Sequence, residues 1–208
     1  MLMLMLMGGA ACSAPPAGAQ AGHGVLGDGV LPRGVLPAAR RAWMARQSAL
    51  CLVAIGEAGA RRGLPAGLLG AVSRVETGRA LPVTGDRQPW PWTVNADGES
   101  LFFDTRALAV AETRRLLAGG ARFVDIGCMQ VDLRMHADAF PSLEAAFNPA
   151  MNADYAARLL VRLRGGGRGE AGWARASGLY HSGTPGLREP YQAEVGRLRG
   201  ARPGTLRE

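Results

Sequence analysis

The chain has 208 residues, is 48% hydrophobic, and carries 24 Lys+Arg against 17 Asp+Glu for a formal charge of +7. That size and apolar content suit one domain with a real core plus extra segments, and exclude a chain that stays disordered. The positive charge suits a polyanion, but every one of these basic residues is Arg and none is Lys; this is compositional bias in an Ala- and Gly-rich chain, and with no nucleic-acid signature beside it the charge does not argue for a nucleic-acid partner.

The start, "MLMLMLMGGAACSAPPAGAQ", is apolar and then rich in small residues, the pattern of a secretory signal segment, although its first residues lack a positive charge. Ala17-Gly18-Ala19 fits a cleavage site, so residues 1–19 are read as a signal peptide and the mature chain is expected in the periplasm or outside the cell. The apolar run is too short to cross a membrane as a helix, and no membrane span is expected. The lesser alternative is a lipid anchor at Cys12, where Gly9 stands in place of the Leu of a lipoprotein box. Residues 20–37 are rich in Gly, Pro and Ala and read as a linker. Beyond the leader two cysteines remain, Cys51 and Cys128; they can form one disulfide or stay as separate buried thiols. No Cys or His lies at metal-ligand spacing, so no metal is expected.

A first helix is predicted from Ala38 to about Arg62, stopped by Gly63. Pro65 opens a second helix at a position that tolerates its missing N–H; it runs to Thr77, with Gly78 as its cap. "WTVNADGESLFFD" reads as a small hairpin around Asn95-Ala96-Asp97-Gly98. Asp104 is the expected N-cap of a helix through Leu117. "RFVDIGCMQVD" begins strand-like. Asn148, an N-cap, and Pro149 open another helix that closes at Gly165. Two helices follow, in "EAGWARASGLYHSG" and "REPYQAEVGRLRG", and residues 201–208 form a loose tail. The expected fold is mainly α, with one small β-hairpin (α+β).

The second helix carries the chemistry. At about 100° per residue, Leu68, Leu69 and Val72 share one arc, and Glu76 lands in it close to the direction of Leu69. A carboxyl among leucines loses hydration and holds its proton to higher pH, which suits it to protonate a leaving oxygen. Two plainer readings stay open at this point: Glu76 pairs with an arginine, or it reaches solvent from the last turn.

Further motifs join it in order. "LLGAVSRVETG" resembles the helix of lysozyme-like lytic transglycosylases (the SLT domain), which ends in Glu-Ser/Thr-Gly. "DIGCMQVD" is similar to their Gly-Leu-Met-Gln stretch, with Cys128 in place of Leu, and most resembles the smaller secretion-associated group. "NPAMNADYAARLL" resembles their Asn-x-x-x-Asn helix. "ASGLYHSGTPGLREPYQAEV" resembles their Ala-x-x-x-Tyr-Asn-x-Gly segment and the Tyr-x-x-x-Val helix after it, with His181 in place of Asn. The likeness spans about residues 45 to 198 and makes 38–200 a lysozyme-like domain.

The resemblance implies a cleft enzyme that acts on peptidoglycan glycan strands without a cofactor. Glu76 would protonate the bond between N-acetylmuramic acid and N-acetylglucosamine, the substrate's acetamido group would steady the cationic centre, and Glu76 would then take the C6 hydroxyl proton as a 1,6-anhydro ring closes. Tyr180 would hydrogen-bond near Glu76 and orient it, or be a core tyrosine with its hydroxyl satisfied. Gln130 would contact the sugar or brace its loop. Met129 would line the groove or sit in the core, and Thr77 would meet substrate or cap the helix. His181 and Ser182 would complete the substrate contacts, and Tyr191 is read as structural. Trp90, Trp92 and Phe102, in the insertion after Glu76, would wall the groove or close a satellite core. Hydrolysis would need a second carboxylate, for which Asp86, Asp97, Glu99, Asp104 and Asp125 are the candidates. The alternatives are a hydrolytic muramidase and a catalytically silent wall-binding module; a secretion or flagellar apparatus is a further candidate partner.

Overall fold

The structure is a computed structural model that describes residues 38–77, 79–80 and 87–200. The leader with Cys12, the linker, the Gly78 cap, Asp86 and the tail after 200 lie outside the described residues.

Helix α1 (Ala38–Arg61) buries Met44, Ser48, Cys51, Ala54, Ile55 and Ala58, a stripe at helical spacing. It ends where Gly63 takes a positive φ of 64°. Helix α2 spans Leu68–Thr77 and starts later than Pro65 because Gly67 sits at φ 75°, a left-handed conformation that no helix continues through. The stripe of Leu68, Leu69 and Val72 is buried as its period requires.

Two short strands, β1 (Arg79–Ala80) and β2 (Arg87–Gln88), pair antiparallel. The expected hairpin is present as β3 (Thr93–Ala96) and β4 (Glu99–Phe102). Its register places Ala96 opposite Glu99, so the loop is Asp97-Gly98 alone, with φ of 49° and 92°, the geometry of a tight two-residue turn. The hairpin is half of a four-stranded antiparallel sheet ordered β4-β3-β5-β6, completed by β5 (Val124–Ile126) and β6 (Val131–Asp132). A single 3-10 turn, Gly127–Met129, links β5 to β6.

Helix α3 (Arg106–Ala118) is capped by Thr105, whose hydroxyl accepts from the Leu108 amide, and not by Asp104. Asp104 is drawn away by Arg40, which donates to both its carboxylate oxygens at 2.8 and 2.9 Å. After the short α4 (Leu143–Ala146) comes α5 (Pro149–Arg164). Asn148 caps α5 by accepting from the Ala150 and Met151 amides. Helices α6 (Gly169–His181) and α7 (Pro185–Gly200) complete the chain. The fold is mainly α with a small antiparallel sheet, and among the described residues no helix is long and apolar enough to cross a membrane.

Two apolar clusters hold it together. One joins α1, α2, α5, α6 and α7 around Val72, Met129, Leu160 and Trp173. The other packs the sheet against α3 and α4 through Trp90, Trp92, Val94, Val124, Ile126 and Phe147. Trp90 is fully buried and donates its indole N–H to the Phe103 carbonyl, while Trp92 donates to Gln47. These tryptophans therefore close a satellite core and do not wall a groove. Phe102 is partly exposed and stands apart from the cleft described below.

Cys51 and Cys128 form a disulfide that ties α1 to the 3-10 turn across 77 positions. Closing so long a loop removes much freedom from the unfolded chain. Replacing both cysteines by alanine is expected to lower the unfolding free energy by about 2–4 kcal/mol, read from urea denaturation of the two proteins side by side.

Candidate active site

Sheet and helices leave a cleft of about 520 Å³ between them, within the range of small-ligand sites. Glu76 enters from the last turn of α2; Asn95, Asp125, Gln130 and Asp132 come from the sheet and its turn; Tyr180, His181 and Ser182 come from the end of α6.

Glu76 stands where the helical period put it, and among the described residues it is joined to no arginine. Its Oε1 instead accepts a hydrogen bond from the Tyr191 hydroxyl at 2.6 Å. Burial pushes its pKa up to about 7, the Tyr191 bond pulls the other way, and the charge of Asp125 adds to the rise. Burial wins because a neutral donor recovers only part of the hydration a carboxylate loses. Tyr191 is buried, its own pKa is pushed well up by burial and by Glu76, and its ring stacks on His181 at 4.5 Å and 4°.

Asp125 is the second acid of the cleft. Its pKa also rises to about 7, chiefly through burial and then through Asp132, its direct partner across β5 and β6. The other second-carboxylate candidates that are described lie elsewhere. Asp97 caps backbone amides at the hairpin turn, Glu99 is exposed on β4, and Asp104 is held by Arg40.

Of the two roles open to Tyr180, the hydrogen bonds show the satisfied hydroxyl and give the bond to Glu76 to Tyr191, read from the sequence as structural. Tyr180 lines the cleft, but its hydroxyl donates to the Met129 carbonyl at 2.7 Å; Tyr191 makes the bond to Glu76. Met129 is fully buried in the helical core and does not line the cleft. Thr77 is also buried, with its hydroxyl donating to the Ser73 carbonyl at 3.0 Å and, more loosely, to the Cys128 carbonyl at 3.4 Å, so it braces the helix end and does not line the cleft. Gln130 braces its loop and is also open to the cleft. Its amide donates to the Gly127 carbonyl at 3.2 Å, from a left-handed backbone at φ 47°. His181 and Ser182 line the cleft, and Ser182 also accepts from the Thr184 amide.

The second Asn of the Asn-x-x-x-Asn motif, to which the sequence assigned no role of its own, holds the turn. Asn152 is fully buried; its amide donates to the Ile126 and Ala146 carbonyls at 3.1 Å each, and its oxygen accepts from the Met129 amide at 2.9 Å. Gly127 runs so close to it, at φ 77°, that a Cβ there would lie 2.6 Å from the Asn152 amide nitrogen. That motif, together with a polar residue on the inward face of an otherwise apolar helix, was the available signal, because such a group must find buried partners.

No protein-family model matches the chain, and no curated protein or solved structure shows significant similarity to it.

Glu76 makes stability depend on pH. Between the ordinary carboxyl value of 4.5 and about 7, the folded chain keeps a proton that the unfolded chain has released, so stability falls as pH rises through that window. Glu76→Gln removes the fall. The variant is expected to be more stable than the parent above pH 7, by about 1–3 kcal/mol, and to converge with it near pH 4; melting both proteins across pH checks this. Tyr191→Phe removes the interaction that lowers the Glu76 pKa, so the Glu76 midpoint should move upward in a carboxyl-carbon NMR titration.

Proposed function

We propose that the protein is a peptidoglycan lytic transglycosylase in which Glu76 serves first as acid and then as base. The observation that carries this reading is a carboxyl that keeps its proton to about pH 7, fixed by Tyr191 and facing an open cleft. Near neutral pH such a group is partly protonated, so it can give a proton to the glycosidic oxygen and take one back afterwards. The order of sequence motifs around it supplies the substrate class.

In this reading Glu76 protonates the oxygen leaving N-acetylmuramic acid. The neighbouring acetamido oxygen meets the developing positive charge. Glu76, now ionised, removes the proton of the C6 hydroxyl while that oxygen attacks C1 and closes the anhydro ring. Both steps use one side chain, held in place by the Tyr191 hydroxyl. The Cys51–Cys128 disulfide is in keeping with an exported chain at work in the oxidising space around the wall.

Asp125 favours a second reading. It shares the cleft with Glu76, and a second carboxylate lets a glycosidase hydrolyse its substrate through a covalent or charge-stabilised intermediate. The products separate the two. Purified sacculi digested by the parent protein are expected to yield anhydro-muramyl ends by mass spectrometry. Glu76→Gln should cost at least about 100-fold in rate, and Asp125→Asn should slow the reaction while leaving the anhydro product. Reducing ends, lost altogether with Asp125→Asn, would establish the hydrolase instead. Undiminished binding with no turnover by the parent would mean a silent wall-binding module.

A further inference from the structure

Phe123 has no role in packing or in the chemistry above. It belongs to neither apolar cluster and is 52% exposed, yet it lines the same cleft as Glu76. Leaving so large an apolar ring in water forgoes the free energy that burial would return. Its backbone, in contrast, is firmly held. The Asp97 carboxylate accepts from the Phe123 amide at 3.2 Å and from the Arg122 amide at 3.2 Å, and the Asp97 amide donates to the Phe123 carbonyl at 3.2 Å. Asp97 does this from the left-handed turn of the hairpin, at φ 49°.

Strand alternation gives the ring its direction. Val124 and Ile126 are buried in the sheet-side core, so Phe123 and Asp125 share the opposite face, two residues apart. The exposed ring thus stands beside Asp125 on the cleft side of a fixed strand. Across the cleft, His181 stacks on Tyr191, the residue that holds Glu76.

The geometry points to Phe123 as a stacking platform for one pyranose ring of the bound glycan strand, in a subsite next to the bond that Glu76 cleaves. This rests on the reading of the cleft as a glycan site. A β-linked N-acetylhexosamine has one face made of axial C–H bonds, which suits the negative face of an aromatic ring. Its equatorial hydroxyl and acetamido groups point sideways, where Asn95 and Asp125, paired across β3 and β5, offer polar contacts. An exposed ring on a pinned backbone can bind a sugar with little ordering to be done on the protein side.

The test uses soluble, uncrosslinked glycan strands and the full chain carrying Glu76→Gln, so that binding is read without turnover. Adding Phe123→Ala should weaken binding by about three- to tenfold in calorimetry, with the melting temperature unchanged. Phe123→Trp should retain binding, and Phe123→Leu should behave like the alanine variant. Sugar ring protons should shift upfield on binding when an aromatic ring is at 123, and lose that shift with Leu or Ala. Unchanged affinity in the Phe123→Ala variant, or full recovery with Leu, overturns the platform alone. Strands that do not bind even with Phe123 intact overturn the reading of the cleft, and the platform with it.

Discussion

The cleft depends on one constraint, the fixing of the 3-10 turn Gly127–Met129 by the helices around it. The Cys128 carbonyl accepts from the Ser73 hydroxyl at 2.6 Å, while the Cys128 sulfur is bonded to α1. Asn152 on α5 holds the carbonyl before the turn and the amide at its end. Asp125 lies just upstream of these anchors and Gln130 just downstream. Ser73 lies on the same helical stretch as Glu76, so the bond that secures the turn also sets the distance from acid to sheet. Neither acid makes any of these contacts. A polar network this buried resists partial rearrangement, because breaking one member strands another. The relative placement of the two carboxyl groups is therefore inherited from packing that would be the same in their absence.

The electrostatics of the cleft run against those of the chain. With a net charge of +7, a buried acid would be expected to find an arginine. The arginines instead meet acids at the surface, as Arg62 does with Asp154 and Arg197 with Glu194. Among the described residues lining the cleft there is none. A guanidinium beside Glu76 would hold the carboxylate ionised and take away the proton that the proposed reaction needs. Tyr191 solves the same orienting problem with a neutral donor: it fixes one oxygen of Glu76 yet leaves the proton balance to burial. Asp125, itself kept partly neutral by burial and by Asp132, moves the balance in the same direction.

How far the sequence could be read follows from which signals are local. The position of Glu76 was legible because a helix repeats and three apolar neighbours fix the phase. Asn148 was legible as a cap because its partners are two and three residues away. Asp104 was misread for the same reason in reverse: its local signal is genuine, but Arg40, far off in sequence, takes the carboxylate and leaves the cap to Thr105. The tyrosine that holds Glu76 was not legible because Tyr180 and Tyr191 both bury a hydroxyl that needs a partner. Which finds Glu76 and which finds the Met129 carbonyl is set by the packing of α6 and α7, and no spacing encodes it. Thr77 and Met129 sit beside site residues in sequence but point inward, since neighbours on a helix or a tight turn face different ways. Beyond the hairpin the start of β5 was legible as strand-like, but β6 and the separate β1–β2 pair were not, because each of these strands is two residues long, too short to show a period.

That sheet also explains why its cleft residues are open to chemistry. Each inner strand commits alternate positions to the core: Val94 and Ala96 on β3, Val124 and Ile126 on β5 are all buried. With the core side fixed, the intervening positions must face the cleft. Asn95 and Asp125 stand opposite each other there, and Phe123 extends the same row. The aromatic residues of the region after Glu76 divide along this line. Trp90 and Trp92 are drawn into the core, where each indole N–H has a partner, while Phe123, with no polar atom to satisfy, is left on the wet face. Packing energy accounts for the first group. It does not account for Phe123, and a ring kept exposed on a rigid backbone is the arrangement expected where the missing contact is supplied by a ligand.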